Sequence, residues 1–146
     1  MGHRVADALG GSVAGKTVAV LGLSFKPNTD DMREAPSIDL VTALLRAGAT
    51  VRAYDPAGMD QAKKVLCGVV YCDGPYSCAQ DAHALVIITE WEQFRALDLD
   101  QLRQAMASPV MVDLRNVYRP EDVQRFGFSY VGIGRGRPSA PASEIA

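Results

Sequence analysis

Short runs of consecutive apolar residues, many of them β-branched, recur along the chain between segments with helical spacing. The runs Thr17–Gly22 and Ala84–Thr89 are almost entirely apolar, which is typical of strands buried on both faces of a parallel sheet. Between Pro36 and Gly48, apolar residues instead recur at helical spacing. Strands that alternate with helices in one domain predict an α/β fold. We expect a doubly wound, mainly parallel sheet of about six strands with right-handed crossovers and helices on both faces.

The same alternation predicts where the elements lie. Strands are expected at residues 17–22, 51–54, 69–71, 84–89, 110–113 and 128–131. Helices are expected at residues 36–47, 61–66, 76–82, 99–106 and 120–126. Helix punctuation supports these bounds, since Pro36 suits a first helical turn and Gly48 suits a stop.

Bulk composition excludes several classes of protein. The 146 residues are 48% hydrophobic and 22% charged, which favours one globular domain over a disordered or membrane-embedded chain. A formal net charge of −2 provides no field that would attract nucleic acid or an anionic membrane. Residues 1–13 lack the continuous apolar core of a secretory signal. We therefore expect a cytoplasmic protein with no nucleic-acid or membrane partner.

The three cysteines are Cys67, Cys72 and Cys78. Their odd number, in a chain without an export signal, favours reduced thiols. Structural zinc usually requires tighter ligand pairs and a fourth ligand. His83 is the one histidine nearby, and it borders an apolar run where a buried or capping role is favoured. We expect no metal site.

Polar residues concentrate in three segments that follow predicted strands, at residues 24–35, 89–91 and 113–116. In an open α/β sheet, ligands bind beyond the carboxyl ends of the strands, where the strand order reverses. Loops are polar in general, so each segment alone is weak support. Together they indicate a cleft at this edge. Trp91 either lines the cleft, packs in the core or lies at a domain interface.

The loop after the first strand lacks the glycine pattern of a dinucleotide site. Gly22 is followed by Leu23, Ser24 and Phe25, rather than by the G-x-G-x-x-G turn that lets a backbone approach a pyrophosphate. This argues against the usual binding of NAD by this domain. Phe25 offers an aromatic plane, although an aromatic residue after a strand is more often core. Lys26 offers a mobile cation suited to a phosphate.

The segment that follows the fifth predicted strand offers a second cation. Arg115 carries a planar donor fork that suits a phosphate or a carbonyl. Asp113 is placed to orient Arg115 or to cap the following turn. Asp30 and Asp31 could hold Mg²⁺ or accept a phosphoryl group, although such residues more often form turns. No Gly-x-Ser-x-Gly elbow is present, so we expect no catalytic residue in this chain.

Residues 18–36, VAVLGLSFKPNTDDMREAP, resemble the stretch that opens the C-terminal domain of the UDP-glucose/GDP-mannose dehydrogenase family. The motif DDMREAP is similar to the corresponding motif of the UDP-glucose members of the family rather than that of the GDP-mannose members. The resemblance runs from about Arg4 to Arg135. Four shorter motifs occur in the family's order: YDP at 54–56, ITEW at 88–91, DLRN at 113–116 and VGIGR at 131–135.

The resemblance implies a UDP-sugar-binding domain that acts in the two-step oxidation of UDP-glucose to UDP-glucuronate. It implies that NAD and the catalytic cysteine belong to an N-terminal domain that this chain lacks, and that the full-length enzyme is a homo-oligomer. By the matching positions, Phe25, Lys26 and Arg115 should contact the UDP-sugar, and Arg33 should reach the NAD of the other domain. Alternatives are a dehydrogenase for UDP-N-acetylmannosamine or another nucleotide sugar, and a stand-alone nucleotide-binding module.

The resemblance also predicts the domain organisation. Residues 1–13 are expected to be the end of an interdomain helix and its linker, residues 14–135 the UDP-sugar-binding domain, and residues 136–146 a flexible tail. One position departs from the family, because Leu114 stands where glycine is common and could alter the approach of Arg115. Without the N-terminal half, this chain is expected to have no dehydrogenase activity.

Overall fold

The computed structural model describes residues 5, 12–23, 36–57, 59–64, 66–89 and 92–132. Phe25, Lys26 and Arg33 lie outside these residues, as do the acidic pair Asp30 and Asp31. Trp91 and the predicted tail at 136–146 also lie outside them. The division into an interdomain segment, a binding domain and a tail stays a prediction.

Within the described residues, one sheet contains six strands, and all of its neighbouring pairs are parallel. The strands are β1 (Thr17–Leu21), β2 (Thr50–Tyr54), β3 (Val69–Tyr71), β4 (Ala84–Ile87), β5 (Val110–Asp113) and β6 (Ser129–Gly132). Their order is β3-β2-β1-β4-β5-β6. The predicted doubly wound parallel sheet is therefore confirmed, and its strand order reverses between β1 and β4.

Six helices are described, of which the sequence predicted five. They are α1 (Pro36–Arg46), α2 (Met59–Lys63), α3 (Pro75–Ala79), α4 (Glu92–Arg95), α5 (Leu99–Ala105) and α6 (Pro120–Gln124). The unpredicted helix, α4, has only four residues, which is too short for a helical period to show in a sequence. No helix among the described residues is long and apolar enough to cross a membrane.

Two apolar layers cover the faces of the sheet because successive strand residues point to opposite sides. On one face, Val20 and Val86 pack with Leu40 and Leu44 of α1, and Val5 is fully buried in the same cluster. On the other face, the strands pack against α3, α4, α5 and α6. Burying one leucine or valine side chain contributes about 1.5–3 kcal/mol, so these layers supply most of the apolar stabilisation.

Backbone contacts close the amino edge of the sheet. His83 Nδ1 accepts a hydrogen bond from the backbone N–H of Thr17 at 3.0 Å, and the His83 N–H donates to the Thr17 carbonyl at 2.7 Å. His83 therefore caps the start of β1, which confirms its predicted capping role. The Thr50 N–H donates to the Lys16 carbonyl at 2.8 Å and completes the closure on the other side of β1.

Candidate functional site

The carboxyl edge of the sheet is tightly packed where the strand order reverses. Gly22 follows β1 with φ +96°, and a Cβ atom on it would lie 2.7 Å from both Cβ and Oγ1 of Thr89. Thr89 is buried. The Gly22 N–H donates to the Tyr54 carbonyl at 2.8 Å. The chain thus leaves β1 in close contact with the segments that follow both neighbouring strands.

A fully buried carboxylate, Asp55, ties the end of β2 to the end of β1. Its Oδ2 accepts a hydrogen bond from the Leu23 N–H at 2.7 Å, and its Oδ1 accepts one from the Ala57 N–H at 2.8 Å. Burying a carboxylate is costly unless donors satisfy it. Asp55 therefore determines the direction in which the chain leaves the sheet at Leu23, two residues before Phe25.

A small depression lies beside Asp55 at the same edge. It has a volume of about 150 Å³ and is lined by Asp55, Pro56, Ala57, Met59 and Asp60. Cavities that enclose small-molecule ligands are usually about 300–1,000 Å³. This depression is therefore too small to be the principal site for a nucleotide.

A second fully buried carboxylate, Asp113, shapes the turn after β5. Its Oδ1 accepts a hydrogen bond from the Arg115 N–H at 3.2 Å, and its Oδ2 accepts one from the Tyr118 N–H at 2.9 Å. The Tyr130 hydroxyl lies 2.8 Å from the same Oδ2. Asp113 thus has one of its predicted roles, since it caps the turn through the backbone N–H groups of Arg115 and Tyr118. Asn116 lies within this turn with φ +52°.

Tyr118 attaches this turn to α4, which follows β4. The Tyr118 hydroxyl donates to the Phe94 carbonyl and accepts a hydrogen bond from the Leu97 N–H at 3.2 Å. Burial raises the pKa of Tyr118 to about 12, so the hydroxyl keeps its proton at neutral pH. The Tyr118 hydroxyl therefore remains a hydrogen-bond donor to α4 at physiological pH.

Helix α4 also contacts the end of β2. The Tyr54 hydroxyl donates to Gln93 Oε1 at 3.3 Å, and the rings of Tyr54 and Phe94 meet edge to face with centroids 6.3 Å apart. This short helix thus connects the carboxyl ends of β2 and β5. The segments that follow β2, β4 and β5 are therefore joined to one another at the carboxyl edge of the sheet.

The structure describes one of the predicted ligand-binding residues. Arg115 lies at the carboxyl edge and is exposed, as expected from its place after β5. Phe25, Lys26 and Arg33 lie outside the described residues, so their roles stay predictions. Leu114 is only 6% exposed and packs in the core with Val112 and Val131. Its side chain fills the core beneath the turn.

Sequence reasoning did not single out Asp55 or the tyrosines Tyr118 and Tyr130. An aspartate between the last residue of a strand and a proline, as in YDP, is a signal that could have identified Asp55. The tyrosines leave no local signal because they meet Asp113 and α4 only in the folded chain.

Two buried thiols, Cys72 directly after β3 and Cys78 in α3, lie on the face of the sheet covered by α3. A hydrogen bond from the Cys78 thiol, together with the Arg52 charge, outweighs the opposing effect of burial and lowers the pKa of Cys72 to about 6. The same hydrogen bond, with burial, raises the pKa of Cys78. Arg52 also donates to the carbonyl oxygens of Ser77 at 2.8 Å and Cys78 at 3.2 Å. No group of three or more His, Cys, Asp or Glu side chains in the described part of the chain could hold a metal ion.

Comparison with known proteins links this geometry to one family. The model of the UDP-glucose/GDP-mannose dehydrogenase family, UDP binding domain, matches residues 19–120. The UDP-glucose 6-dehydrogenase of Rhizobium meliloti (strain 1021) is 54% identical over 135 residues, which cover 92% of this chain and 31% of that protein. The chain thus spans about a third of the length of this relative.

Two solved structures share the fold. The UDP-D-ManNAc dehydrogenase of Pyrococcus horikoshii superposes with a TM-score of 0.76 at 28% identity, over 91% of this chain and 29% of its own. A UDP-glucose dehydrogenase of Pyrobaculum islandicum superposes with a TM-score of 0.72 at 31% identity, over 91% of this chain and 28% of its own. In both cases nearly the whole of this chain corresponds to one part of a longer protein.

Proposed function

This chain belongs to the UDP-glucose/GDP-mannose dehydrogenase family and contains its UDP-binding domain, and we propose that it holds the UDP-sugar during an NAD-dependent oxidation of UDP-glucose to UDP-glucuronate. The observation that carries the proposal is the family match over residues 19–120, which includes the carboxyl edge built around Gly22, Thr89 and Asp113. The 54% identity to a UDP-glucose 6-dehydrogenase supports UDP-glucose as the substrate.

The UDP-sugar is held by side chains at this edge. Lys26 and Arg115 neutralise the pyrophosphate, Lys26 as a mobile point charge and Arg115 as a planar donor fork. Phe25 stacks on a ring of the ligand. Arg115 is exposed and its backbone N–H is bound by Asp113, which supports its assignment.

The turn after β1 does not fit NAD in the way a dinucleotide-binding turn does. In such a turn, backbone N–H groups face the pyrophosphate. Here the Leu23 N–H is already bonded to the Asp55 carboxylate at 2.7 Å, so it does not face a pyrophosphate. We therefore assign NAD to an N-terminal domain outside this chain, which supplies the catalytic cysteine as well, with Arg33 reaching toward the cofactor from this side of the cleft.

The test is a calorimetric titration of the chain with UDP and UDP-glucose, with GDP and NAD⁺ as comparison ligands. We expect the uridine ligands to bind more tightly than GDP or NAD⁺. Lys26→Ala and Arg115→Ala should each weaken UDP binding by about tenfold or more, because a hydrogen bond to a charged group contributes about 1.5–3 kcal/mol. Lys16→Ala is the matched control, since Lys16 precedes β1 at the opposite edge. Selective binding of NAD⁺, or full UDP affinity in Lys26→Ala, would contradict the proposal.

A second substrate has support from the fold comparison. The solved UDP-D-ManNAc dehydrogenase superposes as well as the UDP-glucose enzyme, with TM-scores of 0.76 and 0.72. UDP-N-acetylmannosamine differs from UDP-glucose in the sugar alone, so the same titration with both ligands separates the two. Tighter binding of UDP-N-acetylmannosamine would reassign the substrate.

A role as a free-standing nucleotide-binding module predicts different behaviour. Under our proposal, the chain alone gives no NADH with UDP-glucose and NAD⁺, and activity requires an added NAD-binding half. We further propose that the complete enzyme is a cytoplasmic homo-oligomer that supplies a sugar acid for polysaccharide synthesis. The free state of Cys67, Cys72 and Cys78 supports a reducing compartment. NADH formation by this chain alone would refute the division of labour between two domains.

A further inference from the structure

The carboxylate of Asp113 is fully buried, and its described partners come from the turn that follows it and from β6. Two of these partners are backbone N–H groups, of Arg115 and Tyr118. A buried carboxylate is tolerated only where donors satisfy it, and removing a donor leaves an unpaired group at high cost. The position of this carboxylate and the shape of the turn are therefore coupled.

Tyr130 supplies the partner that does not belong to the turn. It lies on β6, beside Met111 of the parallel neighbour β5, and its ring is 1% exposed. Its hydroxyl lies 2.8 Å from Asp113 Oδ2 and 2.9 Å from the Tyr118 carbonyl oxygen. The single proton of the hydroxyl can therefore be donated to either end of the turn, while the buried ring is fixed in the core.

The middle of the turn is conformationally demanding. Asn116 has φ +52°, a left-handed conformation that asparagine tolerates better than most non-glycine residues, and it reverses the chain direction at this point. Arg115, the exposed side chain of the turn, directly precedes Asn116. Holding both ends of the turn fixes the conformation between them, and with it the direction of Arg115.

We propose that Tyr130 is a positioning residue for the UDP-sugar site, whose hydroxyl holds the turn at residues 113–118 through Asp113 and the Tyr118 carbonyl and thereby presents Arg115 to the ligand. The inference rests on the proposed function, because it assumes that Arg115 contacts the UDP-sugar. It adds Tyr130 to the proposed site as a residue that acts on the ligand only through Arg115.

The test uses Tyr130→Phe, which keeps the buried ring and removes only the hydroxyl. Amide hydrogen exchange of the ¹⁵N-labelled chain reports whether the turn is held, and UDP titration reports whether the ligand senses it. The matched control is Tyr71→Phe. Tyr71 lies on β3, the outer strand on the opposite side of the sheet from β6, and its hydroxyl is 3.3 Å from the Leu66 carbonyl oxygen. Arg115→Ala and the double variant Arg115→Ala/Tyr130→Phe complete the set.

In Tyr130→Phe we expect the amides of Arg115 and Tyr118 to exchange about tenfold faster, with no change for amides of β1. UDP affinity should fall about fivefold to tenfold, which corresponds to one hydrogen bond. The double variant should bind UDP no more weakly than Arg115→Ala, because the effect passes through Arg115. Tyr71→Phe should change neither measurement.

Unchanged exchange at Arg115 and Tyr118 in Tyr130→Phe would overturn the inference, and so would a double variant in which the two losses of affinity add fully. A failure of the proposed function would give a different result. Normal UDP affinity in Arg115→Ala would reject the contact between Arg115 and the ligand. If the unmodified chain does not bind UDP, the exchange measurement alone decides whether Tyr130 holds the turn.

Discussion

The backbone of Gly22 packs directly against Thr89, at the point where the strand order of the sheet reverses. A Cβ atom on Gly22 would lie 2.7 Å from Thr89 Oγ1 and 2.8 Å from the Thr89 backbone nitrogen. Real Cβ atoms do not approach other atoms this closely, and backbone cannot move aside as a flexible side chain can. The close contact therefore defines the spacing of β1 and β4 at the edge where the ligand site is proposed.

Replacement of Gly22 should be far more costly than replacement of another glycine of similar conformation. Gly22→Ala combines a left-handed backbone, φ +96°, with the clash against Thr89, and should lower the free energy of unfolding by about 2–5 kcal/mol. Gly15→Ala shares the positive φ, +73°, but its Cβ would meet nothing within 4 Å, so about 1–2 kcal/mol is expected. Urea denaturation of both variants measures the difference, and equal losses would mean that the contact with Thr89 is unimportant.

Neutralising the Asp55 carboxylate should loosen the chain at Leu23, where it leaves β1. Asp55→Asn replaces one acceptor oxygen with an NH₂ group, which would face the N–H of either Leu23 or Ala57. Leaving a buried donor unsatisfied costs about 1–3 kcal/mol. Chemical denaturation should show that loss. Asp73→Asn, at an exposed position, is the matched control and should change stability by less than about 0.5 kcal/mol. Similar small effects in both variants would argue against a tying role for Asp55.

Leu114 should be required for stability because its side chain is buried in the core. Leu114→Gly removes a side chain that is 6% exposed in the core, and should cost about 3–5 kcal/mol of unfolding free energy. Leu114→Met keeps the volume and should cost less than about 1.5 kcal/mol. We expect the folded Leu114→Gly variant to bind UDP no more tightly than the unmodified chain. A near-neutral Leu114→Gly would contradict the buried role of this side chain.

The Cys72–Cys78 pair should make stability depend on pH above neutrality. The pKa of Cys72 is lowered to about 6 in the folded chain, whereas an unfolded cysteine titrates near 8.5. The folded state therefore holds a thiolate where the unfolded chain is still protonated. Stability should rise as pH increases from about 6 to about 8.5, and this gain is lost as pH falls through the folded pKa. Because the pKa of Cys78 is raised, stability should fall again once the unfolded Cys78 ionises.

Urea denaturation at a series of pH values tests this dependence. Cys72→Ser should abolish the rise between pH 6 and 8.5, because serine does not ionise there. Cys67→Ser changes an exposed thiol and should keep the rise. A flat profile for the unmodified chain would show that Cys72 is not a thiolate in the folded state.

Most of the fold could be predicted because its central strands β1, β4 and β5 are almost fully buried. A strand such as β4, with all four residues buried, must be apolar throughout, and that requirement is visible in the sequence. The short helix α4 could not be predicted, since four residues do not show a helical period. The start of α2 was expected at Gln61 and lies at Met59, because helix ends depend on local capping more than on periodicity.

The candidate site was predictable in its location and less so in its construction. The place of Arg115 at the carboxyl edge followed from its position directly after a predicted parallel strand, since all parallel strands end at one edge. The contacts that hold the turn around Arg115 could not be predicted from the sequence. Tyr130 lies 17 residues from Asp113 along the chain, and no spacing rule relates the two.

The sequence by itself determined the doubly wound sheet and the family, because each depends on local composition or on a contiguous motif. Only the tertiary structure decided which residues support the carboxyl edge of the sheet. The contacts of Gly22 with Thr89, of Leu23 with Asp55 and of Asp113 with Tyr130 join segments that are distant in the chain. A buried polar group takes whichever donor the packing brings within hydrogen-bonding distance, and that partner is known only once the strands are in place.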